Sequence, residues 1–544
     1  MKHLLLAPLI VAGALAAPAV DGGLVTAAPQ PCENLASLKL PDTTITLAQT
    51  IEAGAFKPPA PAGGAGPAAA AAKAFSSLPA FCRVAATLKP TSDSDIKIEV
   101  WLPASGWNGK FQGIGNGGYA GYISMGELAD AVSRGYATAS TDTGHADANV
   151  TSAGWALHHP EKIVDFGHRA IHETAVNAKA IIRAFYGEDA RRSYFNSCSN
   201  GGRQALMEAQ RYPGDYDGIV AGAPANYWTH LLSFAASNVK ATLAEAASYI
   251  PPAKLPAIEA AALAACDAGD GVKDGVIENP LTCRFDPAVL LCKSAESDSC
   301  LTQPQLTALQ ALYGGLKDPD GKTPFPGYSP GGEAEPGGWA VWITGNAPEK
   351  SLMFAFGTQF FKNMVFEDAN WQYRSFDAVR DTKVADSKMA GAMNATDPDL
   401  GAFRKRGGKL ILYHGWSDAA IPAVNTINYY QSVVAKAGAA EAGKFVRLYM
   451  VPGMQHCGGG PGPNAFGHVG AAPGDRTHDI DAALEAWVEQ SVAPDQIIAS
   501  KYKGTPAPGG EVVRTRPLCP YPLVAGYKGT GSTDEAANFV CKAR

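Results

Sequence analysis

Cys198 stands directly before Ser199, and Cys457 stands directly after His456. No other feature limits so sharply what this chain can fold into. A disulfide holds its two Cα atoms within about 4.4–6.8 Å, so a Cys198–Cys457 bond would bring a hydroxyl and an imidazole together from distant parts of the sequence. Pairing explains both adjacencies at once, whereas two unrelated structural cysteines would leave them to coincidence. The loop it closes is long enough for an effect on the order of 5 kcal/mol in chain-entropy terms. The ten cysteines form an even set, which in an oxidising compartment reads as five disulfides. Sequence alone does not settle their connectivity. Cys266 with Cys283, Cys292 with Cys300 and Cys519 with Cys541 would each close a short loop. No Cys-x-x-Cys pair occurs, which argues against zinc.

The amino terminus agrees with an oxidising destination. Residues 1–17 read as a signal peptide: Lys2 and His3 open it, Leu4 to Ala12 is apolar, and Ala14-Leu15-Ala16 offers a small-residue cleavage site. The apolar stretch is shorter than the ~20 residues that span a bilayer, and no cysteine near the cleavage point offers a lipid anchor. The expectation is a secreted or periplasmic protein without a membrane partner. A net charge of −6 and the lack of any Lys/Arg-rich run argue against nucleic acid as a partner.

A chain of 544 residues exceeds the usual single core, so one catalytic domain with a large insertion, or two domains, is expected. Lys57 to Ala72 is rich in Ala, Pro and Gly and reads as a surface loop. From Ile96 the pattern is α/β. Ile96 to Leu102 alternates like a half-buried strand, Phe111 to Ile114 and Tyr136 to Thr141 are further strand candidates, and Asp165 to Tyr186 reads as an amphipathic helix with Ile171, Ala175, Ala178, Ile182 and Phe185 on one face. Strands alternating with helices imply a parallel sheet, whose ligands bind at the carboxyl ends of its strands. Between Ala225 and Arg404 the alternation fades into helices, Gly/Pro turns, aromatic residues and four cysteines. It resumes at Gly408 to Tyr413 and Phe445 to Met450. The expected division is residues 28–224 with 405–544 as the catalytic domain and 225–404 as an inserted lid.

The candidate chemistry falls at the ends of these strands. Tyr194-Phe195-Asn196 leads into Ser197-Cys198-Ser199-Asn200-Gly201-Gly202, and a helix follows from Arg203 to Tyr212. Strand, sharp small-residue turn and helix form a nucleophile elbow, although Ser197 stands where Gly-x-Ser-x-Gly has its first glycine. Asp418 follows one later strand and His456 the next, and the order Ser, Asp, His is that of α/β-hydrolases. A neutral imidazole takes the serine proton while a buried carboxylate orients it. His414 precedes the acid and reads as a structural histidine. Oxyanion donors are expected from the Asn200 backbone and from Gly117 and Gly118 in Gly115-Asn116-Gly117-Gly118-Tyr119, a run that lacks the lysine and spacing of a phosphate loop.

Cys198-Ser199-Asn200-Gly201-Gly202, His456-Cys457, Gly115 to Gly118, Thr141-Asp142-Thr143-Gly144-His145 and Tyr216-Asp217-Gly218-Ile219 resemble the tannase and feruloyl esterase family, from Cys32 to Cys541. The resemblance implies an α/β-hydrolase fold with a large lid inserted between nucleophile and acid. It also implies a serine esterase acting through an acyl-enzyme, and the pairs Cys198–Cys457, Cys32–Cys82, Cys266–Cys283, Cys292–Cys300 and Cys519–Cys541. Cys266 to Val276 resembles the family's calcium loop, with Asp267, Asp270 and Asp274 and the carbonyls of Val272 and Val276 as ligands. Carboxylates separated by glycines suit such a hard cation, whose role in a lid would be structural. The implied substrate is a small aromatic ester, free or attached to plant cell-wall sugar or polyphenol. Feruloyl or hydroxycinnamoyl esters, galloyl esters and terephthalate monoesters compete. Phe360, Phe361, Phe366, Trp371 and Tyr373 could clasp the ring, with Ile421 beside them. A non-catalytic binding protein on the same fold is the alternative from another class.

Overall fold

The computed structural model describes residue 1 and residues 30–58, 75–147, 149–318, 320–468, 474–504 and 509–543. Nearly all of the expected signal peptide and of the Ala/Pro/Gly-rich stretch lies outside them.

A nine-stranded mixed sheet organises the protein. In chain order its strands are β1 (Thr43–Ile51), β2 (Phe81–Leu88), β3 (Ile96–Pro103), β4 (Lys110–Ile114), β5 (Ala137–Thr141), β6 (Arg192–Cys198), β7 (Gly218–Gly222), β8 (Lys409–Gly415) and β9 (Val446–Val451). Their spatial order is β1-β2-β3-β5-β4-β6-β7-β8-β9. The β1–β2, β2–β3 and β3–β5 pairs are antiparallel, and every pair from β5 to β9 is parallel. This is the α/β architecture that the alternation implies. The parallel strands are buried almost throughout, as expected where helices cover both faces. β3 departs from the expected alternation: only Lys97 is exposed, and Glu99, which should face water, is buried against Arg83 and the indole N–H of Trp101.

The helix expected from Asp165 starts earlier, at Pro160: Pro160–Val164 is α-helical, Asp165–Arg169 is a π-type turn, and the run continues as α1 (Ala170–Tyr186), ended by Gly187 in the left-handed region. Ile171, Ala175, Ala178, Ile182 and Phe185 are buried on its sheet face. Between β7 and β8 no strand joins the sheet among the described residues. Helices there, including α3 (Trp228–Leu243) and α4 (Leu352–Gln359), gather a second apolar core around Phe234, Phe325, Trp339, Phe360 and Phe361. Two antiparallel hairpins near the carboxyl end, Ile497–Tyr502 with Val512–Leu518 and Val524–Tyr527 with Phe539–Lys542, carry no clear signal in the sequence. Five disulfides join Cys32–Cys82, Cys198–Cys457, Cys266–Cys283, Cys292–Cys300 and Cys519–Cys541.

Candidate active site

β6 delivers Cys198, and the chain turns at once into α2 (Asn200–Arg211). Ser199 at the turn has φ 68° and ψ −124°, a costly conformation for a residue with a side chain. Its N–H donates to the Gly222 carbonyl of the neighbouring strand at 2.9 Å. Two close approaches make the turn possible. A Cβ on Gly202 would meet the Gly222 oxygen at 2.2 Å, and a Cβ on Gly201 would meet the Ser197 hydroxyl oxygen at 1.9 Å. The hydroxyl of Ser197 thus fills the space that Gly201 leaves, and the departure from Gly-x-Ser-x-Gly is accommodated within the turn.

β8 and β9 end beside the elbow. His456 Nε2 lies 2.9 Å from Ser199 Oγ, and His456 Nδ1 lies 2.8 Å from Asp418 Oδ2. Cys198 and Cys457 have their Cα atoms 6.0 Å apart, so their bond clamps the loop after β9 against the elbow. Asp418 is buried with four donors around it. Oδ1 accepts from the Ala420 and Ile421 amides at 2.7 and 2.9 Å, and Oδ2 faces His456 and also His414 Nε2 at 3.1 Å. Burial alone would raise this carboxyl, but His456 and His414 hold it well below the usual carboxylate range. His414 is fully buried, with Nδ1 2.7 Å from the Thr426 hydroxyl. It therefore touches the acid itself, which a structural histidine at a strand end did not require. The four-residue spacing from His414 to Asp418 is the only sequence signal for this contact.

The glycine-rich loop after β4 is tied down by amides. Asn116 N–H and Oδ1 pair with the Gln204 side chain at 3.1 and 2.9 Å, Asn116 Nδ2 donates to the Thr141 carbonyl at 2.7 Å, and Asn200 Nδ2 donates to the Asn116 carbonyl at 3.2 Å. Asn200 opens α2, where an amide has no intrahelical acceptor, and a helix amino terminus favours negative charge. Gly117 differs from the expectation: its N–H already donates to the Tyr122 hydroxyl at 2.9 Å. Of the two glycines, Gly118 borders both cavities beside Ser199. Arg203, fully buried and without an ion pair among the described residues, donates to Asn200 Oδ1 and to the Phe166 and Gly167 carbonyls. Burial, then Arg211, lowers its pKa to about 9. Sequence reasoning missed this support.

Two cavities meet at Ser199. One is an apolar cleft bounded by Trp228, Leu231, Leu232, Met353, Phe356 and Ile421. The other, of about 600 Å³, contains His456 and runs past the disulfide to Gln112, Asn196 and the carboxylates of Glu127, Asp130 and Asp481. Trp342 borders both, its ring edge-to-face with His456 at 4.9 Å between centroids. The expected ring clasp is placed differently. Phe360, Phe361, Phe366, Trp371 and Tyr373 border neither cavity; Phe361 stacks on Trp371, and the five pack into the second core. Closure of that core takes the largest aromatic side chains, while α3 and α4 supply the cleft.

Asp267, Asp270, Val272, Asp274 and Val276 lie on one loop shaped by Gly271 and Gly275 at positive φ. Asp267 accepts from the Asp274 and Gly275 amides at 3.1 Å each, and Asp270 accepts from the Val272 amide at 2.8 Å. Asp274 also meets Arg516 at 2.6 Å and Arg514 at 3.2 Å. The donor set is all oxygen, as a hard cation requires, with Asp267 engaged by the two amides and Asp274 by the two guanidinium groups.

The sequence pattern of the family described as tannase and feruloyl esterase matches residues 82–542. An esterase of Xanthomonas campestris pv. campestris is 44% identical, covering 96% of this chain and 93% of its own. The mono(2-hydroxyethyl) terephthalate hydrolase of Piscinibacter sakaiensis is 35% identical, covering 88% of this chain and 87% of its own. The crystal structure of feruloyl esterase B from Aspergillus oryzae superposes with a TM-score of 0.84 at 28% identity, covering 94% of this chain and 99% of its own.

Proposed function

Since the chain belongs to the tannase and feruloyl esterase family and is a carboxylic ester hydrolase for aromatic acid esters, we propose that it cleaves feruloyl, hydroxycinnamoyl or galloyl esters through an acyl-enzyme on Ser199. The observation that carries this reading is the continuous line Ser199 Oγ, His456 Nε2, His456 Nδ1 and Asp418 Oδ2, with contacts of 2.9 and 2.8 Å. His456 removes the Ser199 proton as Oγ attacks the ester carbonyl. The oxyanion forms against the amides of Asn200 and Gly118, and His456 returns the proton to the leaving alcohol. Water then enters by the same base to release the acid.

The cavities divide the substrate. The leaving oxygen must be within reach of His456, so the alcohol lies in the larger cavity, whose Gln112, Asn196 and Glu127 suit a hydroxyl-rich group. The acyl ring lies in the cleft of Trp228, Leu231, Phe356 and Ile421. No Lys or Arg borders that cleft among the described residues, and the free carboxylate of a terephthalate would be buried there unpaired. This favours hydroxycinnamoyl or galloyl acids over terephthalate monoesters. The loop of Asp267, Asp270 and Asp274 would hold Ca2+ with the Val272 and Val276 carbonyls, supplying rigidity. Five disulfides support export after removal of residues 1–17.

The test is a panel of methyl ferulate, methyl gallate and mono(2-hydroxyethyl) terephthalate with wild-type protein and Ser199→Ala. Wild type should prefer the ferulate or gallate ester, and Ser199→Ala should lose turnover on the order of 10⁶-fold while melting normally. Near wild-type turnover by Ser199→Ala would remove the nucleophile, and a preference for the terephthalate would reverse the reading of the cleft.

A further inference from the structure

Behind the elbow, α2 carries Glu208 toward α1 and the loop before β7. Glu208 is completely buried, and among the described residues no N–H or O–H reaches either of its carboxylate oxygens. One ligand atom each from Glu208, His172 of α1 and Asp215 of the following loop lies within 4.8 Å of the others. His172 Nδ1 is 2.6 Å from Asp215 Oδ2, and the imidazole is stacked on Tyr212 with centroids 3.8 Å apart. Lys179 is the nearby cation, with Nζ donating to the Asp215 main-chain carbonyl.

Two carboxylates side by side without a donor to one of them are costly in a buried place. A proton on Glu208 relieves the repulsion but leaves the second oxygen without a partner. A divalent cation answers both needs, because it neutralises charge and bonds oxygen directly. One imidazole with two carboxylates is the donor set of a borderline cation such as Zn2+, whereas Ca2+ takes oxygen alone. His172 and Asp215 are partly open, with side chains 28% and 13% exposed, so ions and completing waters have access.

We propose that His172, Glu208 and Asp215 form a binding site for a zinc-class divalent cation. The missing Cys-x-x-Cys pair does not bear on it, since its donors are nitrogen and oxygen. Glu208 is nine residues beyond Ser199 along α2, about 14 Å at 1.5 Å per residue. The cation therefore takes no part in ester chemistry and instead clamps α1, α2 and the loop entering β7.

The experiment is a zinc sulfate titration of chelator-treated, dialysed full-length protein in saturating Ca2+, read by calorimetry and by metal content after gel filtration. Wild type should bind one equivalent and melt at a higher temperature with zinc. His172→Ala, Asp215→Asn and Glu208→Gln should each weaken binding at least about tenfold. His172→Ala alters a partly exposed side chain and serves if the buried Glu208→Gln does not fold. No zinc bound by wild type would overturn the site, leaving a shared proton between Glu208 and Asp215. Binding that all folded variants retain would overturn it as well.

Discussion

Asp418 receives more than the single imidazole that its position after β8 announces. Its Oδ2 is shared by His456 and His414, and its Oδ1 is held by two amides. The carboxylate is thereby kept ionised and aimed at His456 Nδ1, which places the reactive lone pair of Nε2 toward Ser199. Asp418→Asn should lower turnover on the order of 10³–10⁴-fold with little loss of structure, because an amide presents the wrong partner to Nδ1–H. His414→Phe should behave differently: it removes an Nε2 that lies 3.0 Å from the Ile421 carbonyl and 3.1 Å from the buried Asp418 carboxylate, contacts worth roughly 1.5–3 kcal/mol of stability, while His456 keeps its tautomer. Denaturant titration and steady-state kinetics on both variants check this, and unchanged stability of His414→Phe would show that its contact with Asp418 carries no weight. His414, Arg203 and Trp342 act through distance and burial, and for that reason were hard to recognise in a linear reading.

At the scale of the element, the elbow works because Gly202 of α2 lies against the Gly222 backbone and Gly201 against the Ser197 side chain. Ser197 is tolerated at the position of a motif glycine since Gly201 leaves it room. Gly201→Ala should therefore push the Ser197 hydroxyl out of place and cost about 1–3 kcal/mol in overpacking, with loss of esterase turnover. The double variant Ser197→Gly/Gly201→Ala should recover much of both, since the next neighbour of the added methyl is Asn116 N at 3.4 Å. Melting temperature and kcat are the readouts, and a double variant no better than the single would disprove the reciprocity. The carboxyl end of α1 and the start of β8 were legible from period and turn residues, but the start of the helix, the end of β8 at Gly415 and the two small carboxyl-terminal hairpins were not. Their strands are short and partly exposed, so no periodic apolar pattern marks them.

Across the whole molecule, the segment between β7 and β8 meets the rest of the chain both beside the active site and at the carboxyl-terminal hairpins. Trp342, Met353 and Phe356 close over the site, and the loop of Asp267 to Val276 meets the carboxyl-terminal hairpins through Asp274 with Arg514 and Arg516. A Ca2+ ion held only by the folded chain would add about 2.7 kcal/mol at a hundred times its Kd. Chelation should then lower the melting temperature by a few degrees, and Asp270→Ala should abolish most of that difference. Identical melting curves with and without bound calcium would make the loop a solvated acidic turn. The sequence by itself determined the α/β alternation and the Ser, Asp, His order, and its adjacencies pointed to a link between Cys198 and Cys457, because these depend on chain order, period and adjacency. Only the tertiary structure decided which aromatic rings border the cleft and which fill the second core, that Gly117 is engaged by Tyr122, and that Glu208 is buried beside Asp215. Each of these depends on which side chains from separate helices come within contact distance, and one residue's neighbours in the chain do not contain that information.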